Sequence, residues 1–221
     1  MRMRLFALAL TLFALSAASS AASAAETRAV LYGIRQDPAD DDARDFGRPG
    51  WGGGISLKVP LAGTERLLAW VGGIEAVNLL TSKKEFRDGL TGLRVEQNTN
   101  QNYGRLFLGG EMGPHGNGFL QPYAGADLAL VFYNISTIVS IPDDFDRENS
   151  INQQLRDERE FAFGWSAGAG IVFDLGRWGI DAGVRYLEQY GVPQQLGDGA
   201  VSVQPTYVQY RLGVAFDVPN H

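Results

Sequence analysis

The stretch P-T-Y-V-Q-Y-R-L-G-V-A-F-D-V, from Pro205 to Val218, decides the fold. From Val208 onward every second residue is apolar, and these positions are Val208, Tyr210, Leu212, Val214, Phe216 and Val218. The residues between them are polar, charged or small: Gln209, Arg211, Gly213, Ala215 and Asp217. A period of two residues predicts a β-strand with two chemically different faces.

Seven earlier segments have the same alternation. They are Thr27–Gln36, Trp51–Val59, Leu67–Leu80, Tyr103–Met112, Leu120–Tyr133, Phe161–Leu175 and Trp178–Tyr186. The connections between the eight segments are alternately long and short, so an up-and-down sheet would place all the long ones at one end. Short turns on one side and long loops on the other are typical of a transmembrane β-barrel. The predicted fold is therefore all-β, an eight-stranded antiparallel up-and-down transmembrane barrel. Glycine supports it: the 28 glycines in 221 residues are nearly twice the usual share of about 7%, and many fall within strands, where glycine allows tight curvature.

The N-terminus resembles an export signal. Arg2 and Arg4 precede an apolar run, Leu5–Leu15, and small residues follow up to Ala25. This order predicts a signal peptide over residues 1–25, cleaved near Ala24 or Ala25, and a mature barrel domain over residues 26–221. A membrane anchor is the alternative, but the apolar run is shorter than the roughly 20 residues that a spanning helix needs. The absence of cysteine excludes disulfides, thiol catalysis and a lipoprotein anchor.

The charges are distributed unevenly between the connections and the strands. The four long connections, Asp37–Pro49, Thr81–Asn102, Asn134–Glu160 and Glu188–Gln204, carry nine Lys/Arg and 17 Asp/Glu, a net charge of −8. The rest of the mature chain has eight of each sign. A sealed barrel interior requires such balance, because an unpaired charge there costs on the order of several kcal/mol. The predicted interior charge network comprises Arg35, Lys58, Glu75, Arg105, Glu111, Asp127, Asp181, Arg185 and Arg211.

Aromatic residues lie at or near the predicted strand ends, as the interfacial girdles of membrane barrels do. They are Trp51, Trp70, Trp165, Trp178, Tyr103, Tyr133, Tyr186 and Tyr207. Aromatic residues are also common in strands by propensity, so a purely structural role is the alternative.

Taken together, the signal peptide, the eight strands, the sorted connections and the aromatic final strand resemble the small outer-membrane barrels of the OmpA and OmpX type. The likeness covers essentially the whole mature chain, as a bare barrel without a C-terminal peptidoglycan-binding domain. It implies that Tyr210, Leu212, Val214 and Phe216 form the signal read by the barrel assembly machinery, although five residues follow Phe216. It also implies a location in the outer membrane of a Gram-negative bacterium, among outer-membrane lipid and lipopolysaccharide.

The sequence offers little for catalysis. Some small outer-membrane barrels are lipid-modifying enzymes with a Ser and a His near the outer leaflet, but the two histidines here are His115, in a short turn, and His221, the last residue. We therefore expect no enzymatic activity, no catalytic residue and no cofactor. The acidic runs Asp40–Asp42 and Asp143–Glu148 lack the spacing of an EF-hand loop and are interpreted as solvated loop charge, so no metal site is predicted.

The predicted function is a structural or surface-interaction role through the four external loops. Eight strands enclose an interior that side chains just fill, so a small passive channel is the alternative, and a lipid-modifying enzyme is a more remote one. The net charge of −6 argues against nucleic acid as a partner. We expect a monomer.

Overall fold

The computed structural model describes residues 27–46, 48–61, 63–64, 66–87, 94–115, 118–141, 151–196 and 199–218. Three predictions lie outside these residues: the signal peptide, the acidic run Asp143–Glu148 and the position of His221.

Eight long strands and a small hairpin account for most of the described residues. The long strands are β1 (Thr27–Pro38), β2 (Gly50–Pro60), β3 (Leu68–Arg87), β4 (Arg94–Met112), β5 (Leu120–Ile141), β6 (Ile151–Asp174), β7 (Trp178–Tyr190) and β10 (Thr206–Val218). The hairpin consists of β8 (Val192–Leu196) and β9 (Gly199–Val203), and one short helix, α1 (Asp41–Phe46), follows β1.

The long strands form a closed barrel in the order β1-β10-β7-β6-β5-β4-β3-β2. Closure depends on the final strand, which pairs antiparallel with β1 from Thr27 opposite Val218 to Pro38 opposite Tyr207. Within the barrel, closure gives each of the eight long strands two neighbours and removes the unpaired edges of an open sheet. The predicted fold class, an all-β eight-stranded antiparallel up-and-down barrel of the transmembrane type, is confirmed.

The final strand has the two faces that its alternation predicts. Gln209, Arg211 and Ala215 are buried inside the barrel. Tyr210, Leu212, Val214 and Phe216 lie on the outer surface with exposed fractions of 51%, 64%, 39% and 41%. The less apolar face therefore points into the lumen, and the apolar face points outward.

The same inversion holds around the barrel, where large apolar side chains are on the outside. Examples from five other strands are Leu31, Ile55, Ile74, Leu128 and Phe163, all at least 45% exposed. A water-soluble barrel buries such side chains and exposes charge. An outer surface of this composition is suited to lipid.

The three short connections lie at one end of the barrel, together with Thr27 of β1 and Val218 of β10. The tightest consists of Leu175, Gly176 and Arg177, and Gly176 takes a φ of 97°. Glycine adopts this left-handed conformation without the Cβ clash that other residues incur.

The predicted strand ends were wrong in two of the long connections, because most of the described residues of Thr81–Asn102 and Asn134–Glu160 are β-structure. β3 continues to Arg87 and pairs with β4 as far as Arg94, and β5 continues to Ile141 opposite Ile151 of β6. The other strands end earlier: β1 ends at Pro38 and β7 at Tyr190. Backbone hydrogen bonds to neighbouring strands hold the added sheet together, and they do not depend on side-chain polarity. A stretch such as T-S-K-K-E at residues 81–85 therefore has no apolar–polar alternation from which a strand could be predicted.

As a result, β3–β6 form a sheet that projects beyond the rim of the barrel. Trp51 of β2 pairs with Asn78, and β3 continues from there to Arg87 without a β2 partner. At roughly 3.3 Å per residue, this projection is about 30 Å long. The other two long connections contain α1 and the β8–β9 hairpin.

Candidate functional site

The lumen holds eight of the nine residues predicted for the interior charge network. Seven of them are at most 8% exposed: Lys58, Glu75, Arg105, Glu111, Asp127, Asp181 and Arg211. The side chain of the eighth, Arg185, is 11% exposed. Four are cationic and four are anionic, so the formal charge of this set is zero.

The first cluster is centred on Arg105. Its Nη1 lies 3.2 Å from Glu75 Oε2, and its Nη2 donates a hydrogen bond to Asp127. Arg185 Nη1 lies between the same two carboxylates, 3.4 Å from Glu75 Oε1 and 3.5 Å from Asp127 Oδ2. Two guanidinium groups thus neutralise two carboxylates contributed by β3 and β5.

Neutral side chains complete the coordination of these carboxylates. The Tyr32 hydroxyl donates to Glu75 Oε1 at 2.8 Å, and Gln209 Nε2 donates to Glu75 Oε2 at 3.2 Å. The Ser166 hydroxyl donates to Asp127 Oδ2 at 2.7 Å. Buried ions are tolerated when such hydrogen bonds replace those lost to water.

The second cluster is centred on Lys58, closer to the end with the short turns. Its Nζ lies 2.9 Å from Glu111 Oε1 and 3.0 Å from Asp181 Oδ2, and 3.9 Å from the centroid of the Tyr123 ring. Asp181 Oδ1 also accepts a hydrogen bond from the Tyr123 hydroxyl at 2.7 Å and lies 3.3 Å from Arg211 Nη2. Each charge in this cluster faces at least one opposite charge.

Arg35 is not part of the network, so its predicted interior position was wrong. In β1 the residues Tyr32, Ile34 and Gln36 face the lumen, which places Arg35 on the outer surface. Its guanidinium lies 5.3 Å from the centroid of the Trp51 ring, and Nη2 lies 3.2 Å from Asp37 Oδ1. A long arginine near a strand end can extend its charge to the aqueous edge of an apolar surface. The alternation of inward and outward positions along β1, and not the charge, therefore determines the side on which Arg35 lies.

A third group of charges, which the sequence reasoning missed, ties the end of the barrel together. Arg28 donates from Nη2 to Asp174 Oδ2 and from Nε to Asp217 Oδ1, both at 2.9 Å. It thereby links β1, β6 and β10. Arg28 and Asp217 occupy inward positions of their strands, so the two-residue period could have identified them.

A neutral polar bridge crosses the lumen at the opposite end. The Tyr103 hydroxyl donates to Gln36 Oε1, the Tyr133 hydroxyl donates to Gln189 Oε1, and the two tyrosine rings lie 5.8 Å apart between centroids. This Gln–Tyr–Tyr–Gln bridge connects β1, β4, β5 and β7. Ala43 of α1 is fully buried in the same core cluster, so the helix packs over this end.

The girdle prediction holds for only part of the aromatic set. Trp51, Trp70, Trp178 and Tyr186 are exposed on the outer surface, from 39% for Trp70 to 65% for Trp51; Trp165 is half-buried. Three others are at most 2% exposed within the lumen, which contradicts their assignment to the girdle: Tyr103, Tyr133 and Tyr207. Proximity to a strand end does not distinguish the two faces, whereas parity within the strand does.

His115 lies in the turn between β4 and β5, at the end of the barrel with the short connections. Burial lowers the pKa of its imidazole below the ordinary value of 6.5, which outweighs the opposing effect of Glu111. Within the described residues, no three His, Cys, Asp or Glu side chains are grouped to hold a metal ion. No helix in that part of the chain is both long and apolar enough to cross a membrane.

Comparison with known proteins gives a match of fold rather than of sequence. No protein-family model matches the chain, and a search of curated proteins finds no relative. The structure of Neisserial surface protein A is 13% identical, with a TM-score of 0.51 over 88% of this chain and 97% of that one. Ail of Yersinia pestis is 12% identical, with a TM-score of 0.48 over 88% of this chain and 99% of that one. A major outer membrane protein from Thermus thermophilus is 13% identical, with a TM-score of 0.46 over 87% of this chain and 99% of that one. The chain thus has the fold of a small eight-stranded outer-membrane barrel.

Proposed function

We propose that this chain resides in the outer membrane of a Gram-negative bacterium and has a structural or surface-interaction role through its external loops. The observation that carries the proposal is the inverted barrel: apolar side chains lie outside, and the hydrogen-bonded interior holds a network of eight charges that sum to zero. A belt of Leu, Ile, Phe and Trp gains free energy in contact with lipid, whereas the eight paired charges are kept from lipid by the barrel wall.

The interior favours this role over that of a passive channel. Two ion clusters and the Gln–Tyr–Tyr–Gln bridge cross the lumen at different heights, and each would have to separate before an ion could pass. Separating buried ion pairs costs on the order of several kcal/mol. Conductance of the purified protein in planar bilayers tests this: we expect no steady single-channel steps, and regular steps would favour the channel.

The projecting β3–β6 sheet supports a role at the cell surface. It extends away from the end with the short turns, as the external loops of membrane barrels do. Loops carried on a rigid scaffold commonly provide binding surfaces. The partners proposed within the membrane are lipid and lipopolysaccharide, and the barrel assembly machinery would read Tyr210, Leu212, Val214 and Phe216 during insertion.

The location and orientation can be tested with single cysteines, because the natural chain has none. Ala39→Cys lies at the end of the barrel with the long loops, and Arg177→Cys lies in the β6–β7 turn; both positions are exposed. A membrane-impermeant maleimide should label Ala39→Cys on intact cells and Arg177→Cys only after permeabilisation. The reverse pattern would contradict the orientation, and recovery in the soluble fraction without a heat-dependent gel shift would contradict the membrane barrel.

The proposal includes no enzymatic activity. In the proposed orientation, the short turn that carries His115 faces the periplasm, away from the outer leaflet. Loss of a lipid-modifying activity in His115→Ala would overturn this part of the proposal.

A further inference from the structure

A small cavity opens at the end of the barrel with the short turns, and it differs in composition from the sealed lumen above it. It has a volume of about 30 Å³, enough for one or two water molecules or a group of similar size. Its charged and polar lining comprises Arg28, Lys58, Arg66, Glu111, His115, Gln121, Tyr123 and Asp217. Three of these side chains are cationic and two are carboxylates, so the formal charge is +1 with His115 neutral.

Two lining groups, the Arg66 guanidinium and His115 Nε2, have no partner among the residues that the structure describes. Arg28 and Lys58 are each paired with two carboxylates. Arg66 forms no ion pair with any residue the structure describes. Nε2 of His115 is buried and has no hydrogen-bond partner within the same residues. Its other ring nitrogen lies 3.9 Å from Glu111 Oε1, and a hydrogen bond with the Glu111 backbone favours the protonated imidazole.

The backbone holds these two groups at the same cavity. The His115 amide donates to the Arg66 carbonyl at 2.9 Å, and the Gly113 amide donates to the Leu67 carbonyl at 2.8 Å. These bonds join the β2–β3 turn to the β4–β5 turn. Arg66 has a φ of 62°, a left-handed conformation that costs free energy for any residue except glycine and that often marks functional positions.

We infer that this cavity binds a small monocarboxylate entering from the side of the short turns, with the Arg66 guanidinium and the His115 imidazole as its ligands. A guanidinium presents a planar fork that matches a carboxylate. Because the other ring nitrogen of His115 faces Glu111, Nε2 donates the additional hydrogen bond in the imidazolium form, which a bound carboxylate favours. The nearby Glu111 and Asp217 carboxylates disfavour a dianion, so the site selects for a single negative charge. Binding does not depend on the membrane location proposed above; only the periplasmic origin of the ligand does.

The test follows the imidazole signals of the refolded mature chain in detergent micelles by NMR. The full chain has two histidines, so His221→Gln assigns the remaining signal to His115. Titration with sodium acetate should shift the His115 signal in a saturable manner, whereas sodium chloride at equal ionic strength should not. Phosphate at a pH where it is a dianion should bind more weakly than acetate.

Arg66→Asn removes the guanidinium and keeps a residue that tolerates the left-handed conformation. Loss of a charged hydrogen bond should weaken acetate binding by about tenfold or more. Arg177→Asn, in the β6–β7 turn outside the cavity, is the matched control and should leave the titration unchanged. If Arg66→Asn loses the heat-dependent gel shift of the folded barrel, Arg66→Lys is tested in its place. Lysine keeps the positive charge but not the planar fork, so we expect this variant to bind acetate more weakly than the natural chain does. The inference is overturned if acetate and chloride give the same response, or if a folded Arg66 variant binds acetate as the natural chain does.

Discussion

The ammonium of Lys58 lies 2.9 Å from the carboxylate of Glu111, and both side chains are at most 4% exposed. The same ammonium lies 3.0 Å from Asp181. The pair joins β2 to β4 across the lumen, so one buried cation balances carboxylates from two other strands.

Lys58→Met should strongly destabilise the barrel, because it leaves Glu111 buried without its cation. Removing one partner of a buried pair typically costs about 3–5 kcal/mol. The measurement is the free energy of unfolding in urea of protein refolded into lipid vesicles. The control is Arg44→Met, which removes an ion pair with Asp41 whose side chains are 64% and 92% exposed; its effect should be about 0–1 kcal/mol. Similar losses in the two variants would show that the lumen pair does not contribute as described.

Leu212→Arg tests the lipid-facing surface. Leu212 is 64% exposed in the middle of the outer face of β10, and arginine in the centre of the lipid layer costs about 2–4 kcal/mol. The matched variant is Asn134→Arg, at an exposed position on β5 beyond the apolar belt, where the cost should be about 0–1 kcal/mol. The free energy of unfolding in vesicles distinguishes the two. Equal tolerance would mean that lipid does not cover the middle of β10.

Two adjacent glycines test the curvature of the wall. A Cβ on Gly109 would point into the lumen and approach the Ala126 carbonyl and the Asp127 backbone closer than 3.0 Å, so something would have to shift. A Cβ on Gly110 would point outward, with its nearest neighbour, the Ala69 carbonyl, at 3.9 Å. Gly109→Ala should therefore cost about 1–3 kcal/mol, whereas Gly110→Ala should be nearly neutral. The urea midpoint of the folded barrel measures both, and a larger loss for Gly110→Ala would contradict the assigned faces.

His115 should make the barrel less stable in mild acid. Burial lowers its pKa in the folded protein below the ordinary value of 6.5, so the unfolded chain binds the proton more readily. Between the two pKa values the unfolded state carries more protons, and stability falls as the pH decreases. The contribution is complete above the unfolded pKa and is lost as the pH falls through the folded pKa.

The measurement is the free energy of unfolding between pH 7.5 and roughly pH 5, a range that includes the usual histidine pKa. As the pH decreases, the free energy of unfolding of the natural chain should fall relative to that of His115→Gln, because only the natural chain loses this contribution. Parallel curves for the two proteins would contradict the assignment to His115.

Much of the fold could be predicted because parity within a strand is a local property. Alternation in Val208–Val218 correctly separated Arg211 from Leu212, and the same period identified Lys58, Glu75 and Asp181 as inward-facing. It failed for Arg35, where the charge was given more weight than the position, and for Tyr103, where a strand end was taken for a membrane interface. It also missed the projecting part of β3–β6, since polar strands carry no such alternation.

The sequence by itself determined that the chain forms two-faced strands, that their connections are sorted by length and that the strand charges sum to zero, because these properties depend on neighbours along the chain. The tertiary structure alone decided which charges meet. Lys58, Glu111 and Asp181 are distant in sequence and come together because closure of β10 onto β1 curves the wall around a narrow lumen. The pairing of β3 with β4 brings Arg66 and His115 to one cavity, because it places the two turns that carry them side by side, where backbone hydrogen bonds join them.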